Sequence, residues 1–179
     1  MRFAYRHADK VIANSEFTRD ELIKLGVNAG RIEIVSPGVN LARYRPENAK
    51  SGLRESLGIQ PGQKLILSVG RLNLRKGFDQ VIRVLPKLAG RGVDVHYAII
   101  GTGEGLESLK SLADEMGVLE RIHFLGAVSD ENLPGWYYAC DVFAMPNREI
   151  NGDTEGFGMV FLEAAACGLP VICTAGGPT

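Results

Sequence analysis

From residue 10 to residue 173 the chain repeats one unit: a short apolar run, a turn rich in Gly, Asn or Asp, then an amphipathic stretch. That repeat constrains the fold more than any single residue does. Parallel strands cannot be joined by hairpins and need a crossover, usually a helix, so apolar runs alternating with helical periodicity predict a parallel sheet covered on its faces. Strands are predicted at residues 10–13, 31–35, 64–69, 93–100, 121–125, 141–145 and 170–173, the last as a buried strand. Helices are predicted at 16–25, 49–57, 78–88, 105–116, 131–139 and 159–167. Ser15 reads as the N-cap of the first helix and Gly26 as its C-terminal stop. The fold class is α/β.

One segment breaks the rhythm. Ser36-Pro37-Gly38-Val39-Asn40, followed by Tyr44-Arg45-Pro46, places prolines and a glycine between two units and reads as a linker. Residues 1–39 are expected to be the tail of one domain whose remainder lies elsewhere, because so short a stretch cannot bury a core. Residues 40–179 form the second domain, and its end at Ala175-Gly176-Gly177-Pro178-Thr179 is expected to truncate it, since a helix is due next.

Charge excludes several functions. Twenty basic against 21 acidic residues give a formal net charge of −1, so neither nucleic acid nor an acidic membrane attracts the whole chain. Cys140, Cys167 and Cys173 are odd in number and sit in apolar runs, which predicts buried free thiols in a reducing compartment. His7, His96 and His123 have no ligand spacing, so no metal site is expected. No apolar run approaches the roughly 20 residues of a membrane span, and a cytoplasmic location is expected.

Chemistry concentrates in loops that follow strands, where open α/β sheets bind ligands. After Leu65-Ile66-Leu67-Ser68-Val69, the segment Gly70-Arg71 leads through Asn73, Arg75 and Lys76-Gly77 into a helix. A guanidinium for bidentate contact and an ammonium as a compact charge suit a diphosphate, although a solvated basic turn has the same composition. Gly101-Thr102-Gly103-Glu104-Gly105 lacks the third glycine of a dinucleotide fingerprint, and reads as a tight strand-to-helix turn. Gly126-Ala127-Val128-Ser129-Asp130 offers backbone groups and a carboxylate to the edge of a base, or a helix N-cap. Trp136-Tyr137-Tyr138 reads as core packing.

The densest segment is Glu155-Gly156-Phe157-Gly158-Met159-Val160-Phe161-Leu162-Glu163. Gly156 and Gly158 stand where a helix begins, with unpaired N–H groups and the positive dipole end available to an anion or a sugar. If helical rise separates them, the two acids lie about 12 Å apart, a span suited to opposite ends of an extended ligand.

Taken in order, Ile12-Ala13-Asn14-Ser15, Pro37-Gly38-Val39, Val69-Gly70-Arg71 with Lys76-Gly77, Phe124-Leu125-Gly126, the Glu155/Glu163 pair and Ala166-Cys167-Gly168-Leu169-Pro170-Val171 closely resemble the retaining glycosyltransferases of family 4. The resemblance implies the GT-B fold, two Rossmann-like domains facing a cleft, with acceptor bound by the N-terminal domain and nucleotide sugar by the C-terminal one. It implies that Arg71 and Lys76 grip the donor diphosphate, with Glu155 on the sugar hydroxyls and Glu163 on the ribose. Gly70, Val128, Asp130, Gly156, Phe157, Gly158, Met159 and Val160 would complete the donor site. No metal or other cofactor is implied.

Asn147 to Gly158 also looks like the subset that includes phosphatidylinositol mannosyltransferases and lipopolysaccharide or exopolysaccharide enzymes, which implies a glycan or lipid-linked acceptor. Such an acceptor implies a peripheral position at the inner face of the membrane. Asp130 matches an acid of GDP-mannose users, whereas Leu133 replaces a lysine found in some of them. Rival readings are a glycoside hydrolase, a GT-B sugar-nucleotide epimerase and a noncatalytic nucleotide-sugar binding module. A hydrolase fits poorly, because its two carboxylates face each other across one bond at about 5–9.5 Å. The isolated chain is expected to be inactive without the missing N-terminal domain.

Overall fold

The computed structural model describes residues 2–45, 52–151 and 155–174. Its centre is a parallel five-stranded sheet of β3 (Lys64–Val69), β4 (Val95–Ile100), β5 (Ile122–Gly126), β6 (Val142–Met145) and β7 (Val171–Cys173), in the order β5-β4-β3-β6-β7. Smaller and separate, β1 (Val11–Ala13) and β2 (Ile32–Ile34) pair in parallel. The helices are α1 (Arg2–His7), α2 (Glu16–Lys24), α3 (Leu53–Ser56), α4 (Phe78–Ala89), α5 (Leu106–Glu115), α6 (Leu133–Ala139) and α7 (Met159–Ala166).

Strand side chains alternate between two apolar layers, as a sheet covered on both faces requires. Leu65, Leu67, Val69, Ala98, Ile100, Phe143 and Met145 pack with Leu133, Trp136 and Tyr137 of α6 and Ala164 of α7. On the opposite face Ile66, Tyr97, Ile99 and Ala144 meet Phe78, Val81, Ile82 and Leu85 of α4 and Leu109 and Leu112 of α5. Ser68 is polar yet 1% exposed, and it satisfies its hydroxyl on the Tyr97 hydroxyl at 2.7 Å and on the Ala144 carbonyl. A third layer of Val11, Ala13, Leu22 and Val27 serves β1 and β2. Tyr44, which the sequence assigns to the linker, is 6% exposed and belongs to the core between the larger sheet and α6.

Ser15 caps α2, accepting from the Thr18 N–H at 3.1 Å, and Gly26 ends that region at φ 87°. Four features differ from the sequence reading. Residues 2–7 are helical without an apolar periodicity of their own, since Tyr5 and Ala8 lean on the Val11 layer. Residues 49–51 of the predicted second helix lie outside the described residues, and α3 is confined to Leu53–Ser56. β7 pairs only with β6 at the sheet edge, so Ile172 is 56% exposed and the expected buried strand is half open. Cys173 is exposed for the same reason, whereas Cys140 and Cys167 are buried free thiols.

Strand order determines where a ligand can enter. From β3 the chain moves outward to β4 and β5, then returns to lay β6 on the other side of β3. Loops leaving β3 and β6 therefore diverge, and the crevice between them is the topological switch point of the sheet.

Candidate functional site

The loop after β3 is braced by close backbone approach. The Gly70 N–H donates to the Ile100 carbonyl at 2.9 Å, the Leu72 N–H to Thr102 at 2.9 Å, and the Gly105 N–H returns to Leu72 at 2.8 Å. A Cβ at Gly101, whose φ is 137°, would strike the Gly70 carbonyl, and one at Gly103 would strike Leu72. Those glycines exist to let two loops touch, which is the tight-turn reading of Gly101 to Gly105. Asn73 then caps a 3₁₀ turn over Leu74–Lys76, accepting from the Lys76 N–H at 3.3 Å. Gly77 has φ 75°, and a Cβ there would collide with the Pro146 carbonyl after β6. Arg148 closes the seam by donating to the Leu74 carbonyl at 2.9 Å and pairing with Asp79 at 2.6 Å.

This bracing delivers Lys76 and Arg75 to one carboxylate. Glu155 Oε2 is paired with Lys76 Nζ, lies 3.3 Å from an Arg75 guanidinium nitrogen, and accepts from Asn147 Nδ2 at 3.3 Å. The Lys76, Arg75 and Glu155 side chains are 12%, 15% and 16% exposed, so the charges lie mostly out of water. Burial pushes the Glu155 pKa upward, but the Lys76 hydrogen bond and the charges of Lys76 and Arg75 outweigh it and hold the carboxyl below its ordinary range. Because an ionised carboxylate only accepts, the Asn147 amide must present its NH₂ to Glu155 and turn its oxygen away. That oxygen is buried and has no hydrogen-bond partner among the described residues.

Arg71 stands apart from this cluster. It is exposed and makes no ion pair among the described residues. Arg75, passed over in the sequence as part of a basic loop, is the second cation on Glu155; its adjacency to Lys76 was the available signal. Asn147 opens the segment that resembles the mannosyltransferase subset but has no role assigned from the sequence, and it reaches the site because β6 lies beside β3.

The second carboxylate has different company. α7 starts at Met159, so residues 155–158 are not helical and the 12 Å estimate from helical rise does not apply to them. Gly158 caps the helix at φ 78°, where a Cβ would meet the Phe161 ring at 2.5 Å. Among the described residues the N–H groups of Gly156, Phe157 and Gly158 donate to no backbone carbonyl, and they lie at the positive end of α7 beside Met159 and Val160. The Gly156 carbonyl accepts from Ser15 Oγ at 2.9 Å, so the N-terminal unit touches this loop directly. Four residues into α7, Glu163 accepts from the Tyr137 hydroxyl at 2.8 Å. Core packing is thus only part of what Tyr137 does.

At the end of β5, Val128 leans on the α6 layer and Asp130 is exposed, 3.5 Å from Arg43. Asp130 is not the helix cap: Asn132 occupies that position. No group of three or more His, Cys, Asp or Glu able to hold a metal occurs among the described residues, although His96 and His123 stack across β4 and β5 with ring nitrogens 3.1 Å apart. No described helix is long and apolar enough to cross a membrane.

Residues 50–179 match the family described as glycosyl transferases group 1, and residues 1–43 match glycosyltransferase family 4. The chain is 38% identical over 173 residues to a GDP-mannose-dependent alpha-(1-6)-phosphatidylinositol monomannoside mannosyltransferase of Mycolicibacterium smegmatis, covering 95% of this chain and 45% of that protein. To a D-inositol 3-phosphate glycosyltransferase of Mycolicibacterium gilvum it is 36% identical, covering 95% of this chain and 38% of that one. Among solved structures, HepE of Anabaena in complex with UDP and glucose superposes with a TM-score of 0.81 at 28% identity, over 98% of this chain and 47% of HepE. The chain therefore spans less than half the length of these relatives. With the first match running over most of its residues and the parallel sheet superposing on such enzymes, the chain belongs to the group 1 glycosyltransferases and has their GT-B type of α/β architecture.

Proposed function

We propose that the protein transfers a hexosyl group, mannosyl foremost, from a nucleotide-diphosphate sugar to a glycan or glycolipid acceptor with retention at the anomeric carbon. The observation that carries this reading is the cluster at the switch point: Lys76 and Arg75 on Glu155, beside three N–H groups that donate to no carbonyl and an Asn147 oxygen without a partner among the described residues. A buried acceptor without a partner is costly, by about 1–3 kcal/mol, and a sugar hydroxyl relieves it. In the reaction the bond between the anomeric carbon and the diphosphate oxygen breaks, one to the acceptor oxygen forms, and the acceptor hydroxyl's proton leaves on the departing diphosphate. Lys76 and Arg71 compensate the charge that grows on the departing diphosphate, while Glu155, released from Lys76, accepts from hydroxyls of the transferred sugar. Glu163 receives the ribose hydroxyls, and Val128 and Asp130 border the base.

Arg71 and Lys76 supply that charge compensation, and no divalent metal is then required. The name of the Mycolicibacterium smegmatis relative, GDP-mannose-dependent, supports GDP-mannose, and HepE with UDP and glucose keeps a uridine donor as the alternative. We place the domain boundary at residues 36–46 and the enzyme in the cytoplasm, peripheral to a membrane that carries its acceptor. Transfer also needs an acceptor-side domain beyond these residues, so residues 1–179 by themselves bind a nucleoside diphosphate weakly at best and transfer nothing. The test is a donor screen on a full-length protein carrying this chain, with GDP-mannose and UDP-glucose as labelled donors. Release of nucleoside diphosphate from neither would overturn the proposal, and transfer by purified residues 1–179 alone would overturn its account of the acceptor site.

A further inference from the structure

Glu163 is half-buried on α7, and a carboxylate taken partly out of water needs hydrogen-bond donors. What holds it is aromatic. The Tyr137 hydroxyl donates to Oε2 at 2.8 Å, and Tyr137 itself is fully enclosed at 0% exposure. Tyr44 packs its ring edge-on against Tyr137, with centroids 6.0 Å apart, and is 6% exposed. Burial first, then the Glu163 charge and hydrogen bond, push the Tyr44 phenol well above its ordinary pKa, as they do that of Tyr137. Both phenols therefore stay protonated, and Tyr137 donates to Glu163. Neighbouring Arg43 lies over the Tyr44 ring, 5.6 Å from its centroid, and reaches Asp130 at 3.5 Å.

One segment of the linker thus bears on both acids assigned above to the nucleoside. We propose that Tyr44 and Tyr137 are positioning residues for nucleoside recognition, fixing the Glu163 carboxylate so that Oε1 faces the ribose hydroxyls. A carboxylate held through one oxygen loses its freedom to rotate before ligand arrives, and that pre-organisation appears as affinity. Packing would explain two buried tyrosine rings. It does not explain the Tyr137 hydroxyl donating to an acid of a partly open site, with the Tyr44 phenol packed against it and under the influence of the same charge, where a phenylalanine would pack as well.

This inference rests on Glu163 binding ribose, and the experiment separates the two ideas. Tyr44→Phe, Tyr137→Phe, Glu163→Gln and the double variants with Glu163→Gln are titrated calorimetrically, as the full chain, with GDP, UDP and inorganic pyrophosphate. Pyrophosphate has no ribose and reports the cationic loop alone. Each tyrosine variant is expected to weaken the nucleoside diphosphate that wild type binds by about tenfold, the scale of one hydrogen bond to a charged group. Pyrophosphate affinity stays unchanged, and neither tyrosine change has a further effect in the Glu163→Gln background. If Glu163→Gln weakens binding while both tyrosine variants bind as wild type, or if pyrophosphate falls in parallel, the positioning role is overturned and the ribose assignment stands. Unchanged affinity in Glu163→Gln, or no nucleoside diphosphate binding by wild type, overturns both.

Discussion

Glu155 and Glu163 come from one nine-residue segment, and the fold gives them opposite neighbours. Glu155 is ringed by Lys76, Arg75 and the Asn147 amide, on loops, whereas Glu163 is held by phenols on a helix and in the core. Breaking a mostly buried ion pair is costly unless a new counter-charge replaces the lost partner. On the proposed donor assignment a diphosphate is such a counter-charge for Lys76, so the Glu155 cluster would be exchanged by that ligand. Neutral phenols have nothing to gain from a diphosphate, and Glu163 stays where it is. One acid is therefore built to change partners and the other to keep them.

The largest effect expected from breaking this contrast is at Lys76. Lys76→Ala removes the charge that moves from Glu155 to the leaving diphosphate, and turnover in a full-length enzyme should fall by about 10²–10³-fold, with a smaller loss of donor binding. Arg71→Ala should act in the same direction without disturbing the Glu155 cluster, because Arg71 makes no ion pair among the described residues. Steady-state kinetics with wild-type turnover in Lys76→Ala would remove the lysine from the mechanism.

Next in size is a change in the brace rather than the charge. Gly101→Ala puts a Cβ against the Gly70 carbonyl at a φ that side chains rarely adopt. Destabilisation of about 2 kcal/mol in urea unfolding is expected, from backbone strain and the collision together. Because the added Cβ strikes the β3 loop at the Gly70 carbonyl, affinity for pyrophosphate should suffer more than the interactions of the ribose. Equal stability of variant and wild type would show that the loops need not touch.

Glu163→Gln sharpens the other side. A carboxamide accepts less strongly from ribose hydroxyls, and the dissociation constant for nucleoside diphosphate should rise by about tenfold with little change in turnover at saturating donor. A fall in turnover equal to that of Lys76→Ala would mean that both acids serve the transition state, and the contrast drawn above would fail.

The fold was legible where pattern alone decides. β3 runs from Lys64 to Val69 as read from its apolar residues, and α4 and α5 follow their amphipathic periods to within a residue or two. Glycine chemistry was legible in part: Gly26 and Gly158 were seen as helix boundaries, but that Gly101 and Gly77 admit a neighbouring loop depends on strand order, which one sequence does not display. For the site, Lys76 and Glu155 stood out by residue type beside glycine. Asn147 and Tyr44 did not, since an amide after a strand and an aromatic in a proline-rich linker have commoner explanations, and only packing brings them to Glu155 and Glu163.

The smallest effect is thermodynamic, and it tests the ionic side without any ligand. With its pKa lowered in the folded chain, Glu155 stabilises the fold most above its unfolded value near 4.5, and that contribution is lost as pH falls through the lower folded value. Acid also protonates Asp141, whose pKa is lowered too, where burial is outweighed by Arg54, the Leu65 N–H and Lys64. His96 and His123 have pKa values lowered chiefly by burial, so their protonation erodes stability already below about 6.5. These other groups are common to wild type and Glu155→Gln, and the difference between the two melting curves isolates Glu155. That difference should be constant from pH 7 to about pH 5 and shrink below pH 4.5, as wild type loses a paired carboxylate that the variant never had. A difference that stays constant down to pH 3 would mean that Lys76 and Arg75 do not hold Glu155 in its charged form, and the exchangeable ion pair would have to be abandoned.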